Sequence, residues 1–147
     1  MKSRYKPLNY KKYIGNPANI YYRSSWEFAV MRYLDTSSTV ELWSSEEFTV
    51  KYLCPTDNRL HTYYIDFFVK FSNGTSWLIE LKPKNQVEKP KKTKRKREKT
   101  YLTEVKTYLK NQAKWSAAHH YAEKQGWKFV IWTEDTLKKL GILVINS

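Results

Sequence analysis

The stretch from Tyr63 to Lys82 limits what this chain can fold into more than any other. Two runs rich in aromatic and β-branched residues, Tyr63–Lys70 and Ser76–Lys82, flank Phe71-Ser72-Asn73-Gly74-Thr75. That pattern predicts a β-hairpin, and its incomplete alternation predicts strands covered on both faces. Into these apolar arms the sequence sets Asp66, Glu80 and Lys82. Glu80 and Lys82 are two apart on a strand and so share a face. The face of Asp66 depends on the turn. A two-residue Asn73-Gly74 turn would set Asp66 against Leu81, with its carboxylate opposite to Glu80. A three-residue loop with Gly74 in the left-handed conformation pairs Phe71 with Thr75 and places Asp66 directly across from Glu80. Chemistry favours the second register. Carboxylates facing one another about 5 Å apart at Cβ repel unless a cation lies between them, and a divalent metal with oxygen ligands meets that need. A solvated Glu80–Lys82 ion pair is the plainer reading. Trp77, Leu78, Ile79 and Leu81 speak against it, because they predict a buried strand where charges need partners or a metal.

The 147 residues make one domain, enough to close a single core of sheet and helices. No apolar run approaches a membrane span, and Met1-Lys2-Ser3-Arg4-Tyr5 has no secretory character, so a cytoplasmic location is expected. Cys54 is single, which permits no internal disulfide and no Cys-based zinc site. The net charge of +13 is unevenly spread. Residues 1–23 hold six basic residues and no acidic one, and residues 84–99 hold nine against Glu88 and Glu98; together these account for the whole excess. A balanced fold with two basic appendages predicts a polyanion engaged through its phosphates, although basic tails can also serve solubility alone.

Residues 1–20, with Pro7, Gly15 and Pro17, read as a basic arm ordered by its tyrosines. Ser24-Ser25-Trp26-Glu27 opens a helix to about Asp35, with Trp26, Val30 and Tyr33 or Leu34 facing inward. Ser24 and Glu27 have capping-box spacing, which assigns Glu27 to the helix end and not to chemistry. Strands are expected at 39–43 and 47–53, with Cys54-Pro55-Thr56-Asp57-Asn58 turning the chain before the central hairpin. Residues 84–99 read as a flexible basic loop. One bent helix or a helix pair follows from Tyr101 to Lys124, with stripes at Leu102, Val105, Leu109 and at Ala113, Ala117, Tyr121. Gly126 stops it. Trp127–Trp132 predicts a buried strand parallel to 76–82, Thr133 caps a short helix to Leu140, and Ile142–Ile145 is a candidate edge strand.

Asp66 followed by Glu80-Leu81-Lys82 resembles the PD-(D/E)xK nuclease superfamily, with Ile65-Asp66 in place of Pro-Asp. Tyr22–Glu27 and Gly126–Glu134 are similar to the corresponding parts of TnsA-type transposon endonucleases. In length and basicity the chain looks most like the head-completion nucleases of T-even-type phages, which share that fold. The resemblance implies an α/β, restriction-endonuclease-like mixed sheet flanked by helices. It implies a metal-dependent DNA endonuclease in which Asp66, Glu80 and the Leu81 carbonyl hold magnesium, with manganese able to substitute, and Lys82 orients the attacking water. It also allows Glu27 to reach the metal. Phosphate contacts are expected from Lys84, Lys91, Lys92, Lys94, Arg95, Lys96 and Arg97, and from Gln112 and Lys114 on the crossing helix. One of His119 and His120 could face the site. Double-stranded or branched DNA, such as phage DNA ends at head completion, is the implied substrate, with phage head or portal proteins as partners, in the host cytoplasm or the virion. Two rivals stand beside this: a transposon-end or restriction-type nuclease, and a non-catalytic DNA-binding head protein.

Overall fold

The computed structural model describes residues 2–142. In chain order the elements are β1 (Ser3–Arg4), β2 (Tyr21–Tyr22), α1 (Ser25–Thr36), β3 (Val40–Ser45), β4 (Thr49–Cys54), β5 (Arg59–Tyr64), β6 (Phe67–Phe71), β7 (Ser76–Leu81), α2 (Lys84–Val87), α3 (Glu98–Gln125), β8 (Lys128–Trp132) and α4 (Glu134–Lys139). β3, β6, β7 and β8 form the main sheet in that order. β3, β6 and β7 are antiparallel neighbours, and β8 joins β7 in parallel after the α3 crossover. The sheet is therefore mixed and flanked by helices, the restriction-endonuclease-like α/β architecture that the motifs implied.

The register of the central hairpin follows from its turn. Gly74 adopts φ +90°, its N–H bonds the Phe71 carbonyl at 2.9 Å, and Phe71 N–H bonds the Thr75 carbonyl at 2.8 Å. Phe67 pairs with Ile79 and Phe68 with Leu78, a register that carries Asp66 opposite Glu80. The strand expected from Tyr63 onward is interrupted. Tyr63 and Tyr64 close β5, which pairs with β4 in a separate two-stranded sheet, and the chain bends at Asp66 before β6 begins.

The two faces of the main sheet bury different clusters. Phe67, Val69, Ile79 and Trp132 pack with Val30, Met31 and Leu34 of α1 and with Leu137 of α4. Phe68 and Leu78 face the other way, onto Trp115, Ala118 and Ala122 of α3 and onto Val50, Tyr52 and Tyr63 of the β4–β5 hairpin. Asp66, Glu80 and Lys82 have the parity of Phe68 and Leu78, so the strand places them on the α3 side.

The N-terminal arm does not hang free. Tyr5, Tyr13 and Ile20 are buried in the first cluster. The buried Asp35 of α1 holds the arm: its carboxylate accepts hydrogen bonds from Tyr5 Oη (2.7 Å), Leu8 N (2.7 Å) and Asn9 N (3.0 Å), and its carbonyl accepts from Lys12 Nζ (2.8 Å). The basic loop is likewise pinned. Its start forms α2, and Lys96, half-buried, reaches Glu104 on α3 at 2.6 Å and the Lys91 carbonyl at 2.7 Å.

α3 is one helix, ended by Gly126 at φ +77°. Its buried stripe is Asn111, Trp115, Ala118 and Ala122. The expected stripe through Leu102 and Leu109 is wrong, because both are exposed where the helix runs past the core. Thr133 caps α4 with a capping box. Ile142 packs on the first core cluster; the rest of the edge strand expected at Ile142–Ile145 lies outside the described residues.

Candidate active site

Where the bend at Asp66 meets the end of β7, an open cleft of about 860 Å³ is lined by Asp66, Glu80, Leu81 and Lys82, by Glu27 of α1 and by Lys114 of α3. Three segments remote in sequence thus converge on one space. Asp66 Oδ2 accepts the Leu81 N–H at 2.8 Å. Glu80 is only 6% exposed, and its Oε2 accepts the indole N–H of Trp115 at 3.1 Å. α3 therefore aims one carboxylate and the β7 backbone aims the other.

The electrostatics of the pair are those of a cation site. Burial first, then the charge of Glu80 and a hydrogen bond with it, hold the Asp66 carboxyl well above the usual carboxylate range. The Leu81 N–H pulls the other way, and Glu27 adds a further upward push. The raised Asp66 carboxyl reflects burial and a repulsion between the two groups that protonation of Asp66 relieves. A divalent ion does the same with oxygen ligands, and the donor set of two carboxylates beside a strand backbone fits magnesium better than a softer ion.

Two further groups complete the floor. The Tyr63 hydroxyl is buried in the cleft wall and, among the described residues, makes no well-formed hydrogen bond. Burial, reinforced by the charges of Glu80 and Asp66, pushes that phenol far above its ordinary range, so it stays protonated and available as a donor. Lys114 Nζ sits 5.4 Å from the Tyr63 ring centroid. Burial lowers the Lys114 ammonium, and the charge of Glu80 opposes that effect.

Glu27 has both of its anticipated surroundings. Its N–H is capped by Ser24 Oγ at 3.1 Å, and the Ser24 hydroxyl bonds its carboxylate at 3.1 Å. It lines the same cleft as Asp66. Gln112 is exposed on α3, about 200° around the helix from Lys114, and is not part of the cleft lining. His119 and His120 are exposed and also outside it, with His119 paired to Glu123 at 3.0 Å. Lys84 is tied to α4 through Asp135 (3.3 Å), while Lys91, Lys92, Lys94, Arg95 and Arg97 are exposed. Trp115 and Tyr63 had no place in the sequence-derived site. The i, i+4, i+7, i+11 spacing of Asn111, Trp115, Ala118 and Ala122 was the available signal for Trp115.

Residues 37–134 match the family described as TnsA-like endonuclease, N terminal. The chain belongs to the TnsA-like endonuclease family. The match takes in Asp66, Glu80, Lys82 and Trp115 and begins beyond Glu27. The head completion nuclease of Enterobacteria phage T4 is 37% identical over 141 residues, covering 94% of this chain and 94% of that protein. No solved structure matches. This TnsA-like endonuclease domain is a metal-dependent nuclease of the PD-(D/E)xK type, and no helix among its described residues is long and apolar enough to cross a membrane. A Cys54/Asp57/His61 cluster able to coordinate a metal ion lies outside the cleft lining. The cluster sets the single thiol, Cys54, beside a carboxylate and an imidazole.

Proposed function

We propose that this endonuclease hydrolyses DNA phosphodiester bonds with magnesium, manganese substituting, and selects its substrate by DNA structure at phage DNA ends during head completion. The observation that carries this reading is the opposed Asp66–Glu80 pair in a cleft that also holds Lys82 and Lys114. End-to-end similarity to the phage T4 nuclease supports the setting, and with it phage head or portal proteins as partners in the host cytoplasm or virion.

A divalent ion bound by Asp66, Glu80 and the Leu81 carbonyl, with Glu27 beside it, supplies Lewis acidity at the phosphate and a readily ionised water. The chain does the rest. Lys82, sharing a face with Glu80, orients the water and meets the charge that builds on the phosphate. Trp115 holds Glu80 in place, and Lys114 binds phosphate oxygens. Outside the cleft, Lys84, Lys91, Lys92, Lys94, Arg95, Arg97 and Gln112 track double-stranded or branched DNA through its backbone, which carries no base information, while Lys96, paired with Glu104, braces the loop.

The test compares nicking of supercoiled, linear and branched DNA by wild type and Asp66→Ala, with magnesium and with chelator. Cleavage by wild type alone, dependent on metal and strongest on branched or end-bearing DNA, is expected. A wild type that binds DNA without cutting it in either metal overturns the nuclease reading for this chain. Cutting confined to one base sequence overturns structure selection.

A further inference from the structure

Cys54, Asp57 and His61 meet at the end of the β4–β5 hairpin remote from the cleft. Cys54 closes β4, Asp57 sits in the turn and His61 lies on β5. The turn is closed by Asn58 N–H on the Cys54 carbonyl at 2.8 Å, with Asn58 at φ +58°, a left-handed conformation that asparagine tolerates. This turn swings the Asp57 carboxylate back over the strands. The thiol sulfur, a carboxylate oxygen and a ring nitrogen come within 4.8 Å of one another.

We propose that this cluster is a second metal site, taking one zinc-class ion through thiolate, carboxylate and imidazole, with water in a fourth position. The ligand chemistry selects the ion. Thiolate and imidazole favour zinc or cobalt over magnesium, whereas the oxygen-only cleft suits magnesium, so one chain sorts two ions into two sites. The surroundings also fit. Thr56 Oγ1 lies 3.1 Å from Cys54 Sγ, where its hydroxyl can donate to a thiolate. Arg59 N–H occupies Asp57 Oδ1 at 3.0 Å, and Asp57 Oδ2 is hydrogen-bonded to His61 Nε2 at 2.7 Å, a contact that the ion would replace by binding both atoms. Cys54 is 1% exposed while Asp57 is open to solvent, so the site has a closed wall and a way in. Bonds of 2.0–2.3 Å space the ligand atoms of a tetrahedral shell about 3.5 Å apart, a small side-chain rotation from the arrangement seen. Binding releases the thiol proton to solvent.

The hairpin gains from such a clamp. Two strands alone are marginally stable. Tyr52 and Cys54 secure one face of this end by burial, but on the other face Leu53 and Leu60, which face each other next to the turn, are 57% and 72% exposed. Its other end carries Tyr63 into the cleft wall. A metal at the tip stiffens that wall without touching the reaction.

The experiment uses the full chain with Asp66→Ala and Glu80→Ala, so that the cleft no longer competes for metal. Titrated with Co²⁺, this parent should take up one equivalent and show a thiolate-to-cobalt absorption band in the near ultraviolet, bleached by Zn²⁺ and unaffected by excess Mg²⁺. Adding Cys54→Ser or, separately, His61→Ala should weaken binding by more than the 10- to 100-fold typical of removing a group that only supports a ligand. His61 is half-exposed, so its variant keeps the fold even if the Cys54 variant does not, and circular dichroism checks both. Zn²⁺ should raise the melting temperature of the parent and not that of His61→Ala. The absence of the absorption band, or parent-like affinity in His61→Ala, overturns the proposal.

Discussion

Asp66 is the residue at which the metal-free protein is least comfortable. Its carboxyl is raised in the folded chain, by burial and then by Glu80, above its unfolded value. Between those two values the folded state keeps a proton that the unfolded chain has released. The stability of the metal-free protein therefore falls as pH rises from the ordinary carboxylate range through the raised value. Asp66→Asn removes that dependence and still accepts the Leu81 N–H. Melting curves in chelator from acid to neutral pH should show the variant above wild type at neutral pH, by about 2–4 °C for each kcal/mol relieved. Parallel curves would refute it. Glu27→Gln asks a different question. The Ser24 cap acts on the backbone N–H of residue 27, so stability should change by less than about 0.5 kcal/mol. A tenfold or greater loss of cleavage, about 1.4 kcal/mol in the barrier, is the expected result, and an unchanged nicking rate would leave Glu27 a cap and nothing more. The facing of Asp66 and Glu80 was legible in the sequence because Gly74 sets it within a few residues. The support of Glu80 by Trp115 was not, because it depends on where α3 crosses the sheet.

Among the elements, α3 and the loop before it depart furthest from what periodicity suggested. Leucines at 102 and 109 carry helical spacing, yet packing and not hydrophobicity selects the buried face, and the sheet lies under the later turns. Trp115→Phe isolates the element's part in the site: phenylalanine keeps the packing and loses the indole donor. Metal affinity or turnover should fall about 10- to 100-fold with the fold intact. Metal titration and circular dichroism together read this, and full affinity with full turnover would contradict it. In the basic loop the lysines are not equivalent. Lys96 is turned inward to Glu104, while Lys91, Lys94, Arg95 and Arg97 are exposed. Neutralising those four should weaken binding to all DNA sequences alike and reduce the slope of log K against log salt by about 0.9 for each phosphate left without its cation. An unchanged slope would show that the loop does not grip the backbone.

At the scale of the molecule, the α/β class, the parallel partnership of β7 and β8 and the helices flanking the sheet were all readable from element order and crossover rules. Two features were not. The β4–β5 hairpin leaves the main sheet, since nothing local distinguishes which sheet a strand joins. The N-terminal arm folds onto α1 because of Asp35, whose partners lie more than twenty residues away. Asp35→Ala strips acceptors from buried donors and should cost at least about 3 kcal/mol, a fall of roughly 10 °C in melting temperature, with early proteolysis near Tyr10. A melting temperature within a degree or two of wild type would rule out that anchoring role.

The parallel pairing of β7 with β8 also orders events in time. A growing polypeptide emerges from the ribosome with Asp66 and Glu80 long before Lys128, because all of α3 lies between them. Until that last strand arrives, β7 has an open flank, and the pair of carboxylates has no finished scaffold to hold a cation. A chain cut short before Lys128 should therefore fail to bind a divalent ion in the cleft, however complete its hairpin.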